Sequence, residues 1–266
     1  MAELAPYLRL FAAQARAQAQ YRMSFWLDLI GSVVIGALDL TAVVVLFQAG
    51  GVVAGFTTAE ALLVASVATV GFATADLVVG NMDTIRHLVR TGRMDAVLLR
   101  PLGALGQLVA TEFAPRRAGR LLVAVALVPV AAAWAGVQWT PTAAACLLLA
   151  MVGGSLLFSA IFIGTGTVAF WLIESGEFGN SFTYGGRDFA SFPITVYGPA
   201  FRNLFAFGLG LGFTGYYPAL VLLRRPDPLG APDWFGWLSV PVGVVACGLA
   251  ALLWRAGVRR YRSTGS

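Results

Sequence analysis

Long, nearly charge-free apolar runs decide what this chain can fold into. Phe25 to Phe47, Ala59 to Val79, Ala118 to Val137 and Trp234 to Trp254 are each about as long as the ~20 helical residues that cross a bilayer, and Thr142 to Ile173 is over-long, so it either tilts or extends into the cytosol. A further run, Arg202 to Leu223, has the shorter length. Gly208, Gly210, Gly212 and Gly215 loosen it, and Tyr216-Tyr217-Pro218 interrupts it. Only 12% of the residues are charged, against about 25% in a soluble domain, so the apolar surface could not be kept in water. The expected fold class is an all-α membrane protein with six transmembrane helices. Residues 1–23 read as an N-terminal interfacial amphipathic helix and 24–266 as the transmembrane domain, with both termini cytoplasmic.

Arginine placement gives the orientation. The chain has no lysine, which we read as compositional bias. Arg9, Arg16 and Arg22 precede the first run. Arg86, Arg90, Arg93, Arg100, Arg116, Arg117 and Arg120 lie between the second and third, and Arg255, Arg259, Arg260 and Arg262 follow the last. Arg187 and Arg202 join this set if Glu174 to Phe201 is a cytoplasmic connection. That stretch carries Gly176, Gly179, Gly185, Gly186, Pro193 and Pro199 among many aromatics, and it reads as an ordered, turn-rich link. Only Arg224 and Arg225 then fall outside, so the bias puts both ends in the cytoplasm.

Signals for catalysis are absent. One histidine cannot build a histidine-based metal site, and a serine nucleophile would lack a base. No Walker-type phosphate loop occurs. Cys146 and Cys247 sit inside apolar runs and read as packing residues. The N-terminus lacks the pattern of a cleavable signal. The chain is therefore expected to hold no metal or cofactor and not to be an enzyme. Asp39, near the middle of the first run, stands out, because a charge at mid-bilayer costs at least about 2.5 kcal/mol. A substrate or proton contact and an interhelical hydrogen bond are equally open readings. Asp28, Asp76 and Glu112 read as structural groups near the inner interface.

The densest charge lies in the loop 82–103. Its segment Gly92-Arg93-Met94-Asp95-Ala96-Val97-Leu98-Leu99-Arg100-Pro101-Leu102 resembles the Gly-x-x-Asp-x-x-Leu-x-Arg-Pro-Leu signature of a branch of the type-2 ABC transporter permeases. Ser175-Gly176-Glu177-Phe178, Ser191-Phe192-Pro193-Ile194-x-x-Tyr197 and Tyr216-Tyr217-Pro218 match that branch in order and spacing. The resemblance implies a permease in the bacterial cytoplasmic membrane, paired with an identical or paralogous second permease. Each permease would dock on a separate ATP-binding subunit that carries ATP and magnesium. It also implies a coupling helix in 82–103, an outer re-entrant region at about 214–233, and export of a drug, antibiotic, lipid or glycan.

On that reading Arg86, His87, Arg90, Arg93, Asp95, Arg100 and Pro101 couple to the ATPase, with Asp95 and Arg100 as a candidate pair. Asp39, Phe192, Tyr197, Tyr216 and Tyr217 are candidates for the substrate pathway. Two rivals stay open: a proton-coupled secondary transporter using Asp39, and a passive partner permease in a heterodimer.

Overall fold

The structure is a computed structural model of the chain. It describes residues 22–82, 84–112, 115–172 and 176–261, with a few positions between 6 and 16. Those few positions are helical, but the interfacial helix expected over 1–23 otherwise lies outside the described residues. Among the described residues there is no strand.

The bundle opens with a hairpin, α1 (Arg22–Gly50) and α2 (Thr58–Val79). Thr57 starts α2 through a capping box. Its hydroxyl accepts from the Glu60 amide, and the Glu60 carboxylate accepts from the Thr57 amide at 2.8 Å, satisfying two of the N-terminal donors. Three short helices follow: α3 (Thr84–Arg90), α4 (Met94–Leu98) and α5 (Ala104–Glu112). Then come α6 (Ala118–Trp134) and α7 (Pro141–Thr167). Gly136, at φ +72°, closes α6; the amides of Gly136 and Val137 return to the carbonyls of Ala133 and Ala132. Thr140 caps α7 and Pro141 enters its first turn.

α2, the axis of the bundle, is buried on every side, whereas most of α1 is exposed at the surface of the chain. α2 and α7 run parallel and cross where two glycines meet. A side chain at Gly71 would lie 2.8 Å from the Gly154 backbone. The last helix, α11 (Ser239–Arg260), also runs parallel to α7. Ser239 lies against Gly153, and Gly257 lies against Thr167 and Phe170. Such contacts let helices approach without side chains between them. α2, α7 and α11 thus all point toward the end that carries Arg86, Arg90, Arg93, Arg259 and Arg260, the arginine-rich end.

Since α7 and α11 run the same way, the chain between them must travel back. Here the structure corrects the sequence reading. Among the described residues of the stretch read as a turn-rich link, the turns are confined to residues 191–198, and Gly176–Ala190 is instead a helix, α8. It climbs from Arg86 and Thr165 at the arginine-rich end, past Phe72 and Asp39, and the following Phe192 stacks on Phe47 near the opposite end of α1. The segment expected as one fifth span is a bent pair, Pro199–Gly208 and Leu211–Leu223, meeting at 66°. Within it, α9 (Pro199–Arg202) continues into a π-helical turn, Asn203–Gly208, and α10 (Tyr216–Leu223) follows Gly210 at φ +78°. The last helix begins at Ser239 rather than Trp234, because Asp233–Trp237 is a 3-10 turn.

Among the described residues, four helices are long and apolar enough to cross a membrane, or five with the bent pair counted as one. α6, at 17 residues, falls below that length.

Candidate functional site

Two charged regions stand out, one on the surface and one inside. At the arginine-rich end, the loop 82–103 folds as α3 and α4 with a clear division of labour. Met82, Ile85, Val89 and Met94 are buried. Arg86, His87, Arg90, Arg93, Arg100 and Pro101 are exposed, and Leu99 is 86% exposed. Met82 seats against α7, where a side chain at Gly166 would come within 2.6 Å of its carbonyl oxygen. The buried side chains therefore fix the outer face as a rigid, basic, partly apolar knob.

Two further contacts lock it. Gln107, 2% exposed on α5, donates from Nε2 to the carbonyls of Leu102 (2.8 Å) and Val97 (3.2 Å). Asp95 faces Tyr261, just beyond α11, where burial and the carboxylate push the phenol pKa upward. Tyr261 packs in turn on Phe170. Gln107 carries no signal in the sequence that would single it out.

The second region is inside. Arg187 of α8 pairs with Asp39 of α1, and its other amino group pairs with Asp188 at 2.5 Å. Arg120 of α6 bridges the two hairpin helices, 3.3 Å from Asp76 and 3.8 Å from Asp39. Arg117 donates to Asp76 at 2.6 Å and also to Asn81. The Asp76 side chain is 5% exposed and that of Arg120 13%. Phe72 lies between the arginines, its ring centroid 5.5 Å from the Arg120 guanidinium and 5.6 Å from that of Arg187. Charges this deep are retained only in company, and here one network draws α1, α2, α6 and α8 together.

Asp76, read as a structural group, is held as an ion-pair partner of Arg117 and Arg120. The cluster revises one expectation: Arg187 lies not in a turn-rich connection but on a helix, opposite Asp39. The pairing was latent in the sequence, since a carboxylate within an apolar run needs a cation, but the partner stands 148 residues away.

The aromatic candidates divide. Phe192 is half-buried on Phe47. Tyr197 stacks on Phe189 with centroids 4.2 Å apart and donates to its carbonyl. Tyr216 and Tyr217 are buried in the core; Tyr216 donates to Asp227, which in turn accepts from the Ala231 amide. That arrangement pins the loop after α10. Arg225 ties the same loop to the α1–α2 turn through Glu60 (2.6 Å) and the Gly55 carbonyl. Among the described residues, no group of His, Cys, Asp or Glu could hold a metal ion.

Compared with protein-family models, residues 33–265 match one described as ABC-2 family transporter protein. Compared with curated proteins and with solved structures, the chain finds no match.

Proposed function

The chain belongs to the ABC-2 transporter family, and from that premise we propose that it is the membrane-spanning permease subunit of an ATP-driven exporter of a hydrophobic or amphipathic compound. The proposal includes a separate partner subunit that binds ATP and magnesium, and a second permease, identical or paralogous. This chain would contribute no catalytic residue. Six crossings follow if α6 and α8 are counted with α1, α2, α7 and α11, and the bent pair then becomes a hairpin dipping in from the outer side.

One observation carries the reading: the outward basic face of α3 and α4 is held rigid by four buried side chains. A face so anchored suits transmission of force from a soluble partner, because displacing it displaces α2 and α7 as well. ATP-driven closure of the partner dimer would push on Arg86, His87, Arg90 and Arg93, and the bundle would respond as a rigid body. α8 supplies the element best suited to line a polar route, with Asn180, Ser181, Gly185 and Asp188 exposed along it. Asp39 already has two guanidinium partners, which favours a structural charge cluster over the lone carboxylate of a proton-coupled carrier.

The test is co-purification from the native membrane with an ATPase assay. Recovery of a nucleotide-hydrolysing subunit with the wild-type chain, lost in Arg93→Glu and Arg90→Glu, is the expected result. Retention of full ATPase coupling in both variants, or no such subunit under gentle extraction, would overturn it.

A further inference from the structure

A cavity of about 510 Å³ lies between α10, the loop that follows it and the 3-10 turn Asp233–Trp237, within the size range of small-molecule sites. Its walls are fixed. A side chain at Gly236 would come within 2.2 Å of Val221, so the turn lies directly on α10. Pro226, Pro228 and Pro232 stiffen the loop, and Asp227 closes it through Tyr216 and the Ala231 amide. α11 runs 22 residues from this end toward the arginine-rich one, about 33 Å at 1.5 Å per residue, against ~30 Å for a bilayer's hydrocarbon core. The cavity therefore opens at headgroup level, at the end away from the arginine-rich one.

Arg225 and Asp227 are engaged in holding the loop, but four other side chains at the cavity have no such duty. Arg224 donates one N–H to Gln138 at 3.1 Å, which leaves most of the guanidinium's five donors. Its backbone sits at φ +52°, the left-handed conformation that glycine usually takes at a helix C-terminus. The fold thus holds a guanidinium at the rim where a glycine would close the helix with less strain. Among the described residues, no hydrogen bond or ion pair takes up the Asp233 carboxylate or the indole N–H groups of Trp234 and Trp237. Both indoles are exposed, Trp234 58% and Trp237 37%. Tryptophans at this level also anchor a protein in the interface; a carboxylate and a guanidinium beside them add nothing to such an anchor.

We propose that this cavity binds a neutral sugar ring, presented either by a free oligosaccharide or by the headgroup of a glycolipid. A pyranose has an apolar C–H face that packs on the electron-rich face of an indole. Hydroxyls around its rim donate to Asp233 and accept from Arg224. Other classes fit less well. An anion meets Asp233 and Asp227, and a cation meets Arg224 and Arg225. An alkyl chain would strip water from Asp233 and put no donor in its place. The inference stands on this cavity and not on the transport reading, and its test reads sugar rather than transport.

The full-length chain is held in polymer-bounded lipid discs, free of sugar-based detergent, and offered maltotriose, chitotriose or mannotriose. Saturation-transfer NMR reads contact with the sugar C–H groups. A second arm places glucosyl-diacylglycerol in the discs and reads retained lipid by native mass spectrometry. Binding of a trisaccharide assigns the site to free glycan chains, and retention of the glycolipid alone assigns it to a headgroup. In either arm, binding is expected to fall at least about tenfold in Trp234→Ala and in Asp233→Asn. Arg224→Gly lowers it as well while thermal stability holds or rises, which separates a lost contact from a lost fold. Absence of binding in both arms, or unchanged binding in any of the three variants, overturns the proposal. Displacement of the sugar by phosphocholine also overturns it, since the site would then serve a zwitterionic headgroup.

Discussion

α7 and α8 leave the same turn in opposite directions, and their sequences have almost nothing in common. α7 is 27 residues of nearly unbroken apolar and small side chains, with Leu148, Leu149 and Val152 exposed at the chain's surface. α8 is 15 residues, rich in glycine and polar groups, with Phe189 and Ala190 buried and Asn180 and Asp188 exposed. The difference teaches that an apolar sequence is demanded of a helix by lipid, not by depth. Where protein supplies the partners, as Asp39 does for Arg187 and Phe72 does for Tyr184, a polar helix can occupy the same level.

The contrast can be broken at several points. The largest effect is expected from Gly153→Val in α7, whose Cβ would come within 2.2 Å of the Ser239 backbone. Because backbone lies on the other side, separating α7 from α11 should cost about 3 kcal/mol or more, read as lost folded yield in detergent. Next comes Arg187→Leu in α8, which leaves Asp39 with only the distant Arg120. Breaking such a pair costs about 3 kcal/mol, and thermal unfolding should show most of that recovered in the double variant Asp39→Asn, Arg187→Gln. A full-stability single variant would refute the cluster's role.

Gly185→Leu then sharpens the comparison. Nothing lies within 4 Å of a side chain there, so stability should hold or rise by about 0.5 kcal/mol. Transport should fall at least severalfold if the exposed face of α8 lines the route, and unchanged transport would place the route elsewhere. The smallest effect belongs to Leu148→Ala on the exposed face of α7, within about 0.5 kcal/mol of wild type and with unaltered transport.

The same contrast explains what could be read in advance. α1, α2, α6, α7 and α11 announce themselves by their apolar runs. α8 was illegible because Gly176, Gly179, Gly185 and Gly186 mimic turns, and only tertiary contacts make a helix of them. The start of the last helix was misplaced because Trp234 and Trp237 are apolar enough to extend the run, although they sit in a 3-10 turn. At the arginine-rich end, the exposed arginines were legible as charge. The clamp by Gln107 and the contact of Asp95 with Tyr261 join residues that only the fold brings together.

The polarity of α8 also has a consequence for how the protein is made. On the six-crossing placement, a 15-residue segment with Glu177, Arg187 and Asp188 gains too little from lipid to leave a translocation channel sideways by itself. On that placement its insertion would depend on Asp39 and Phe72 being in place to receive it. α11, which has to be laid down parallel to α7 beyond it, would wait longer still. Biogenesis of this bundle would thus be ordered by a debt of charge. On that placement the first hairpin would enter with Asp39 still lacking its nearest cation, Arg187, which follows 148 residues later.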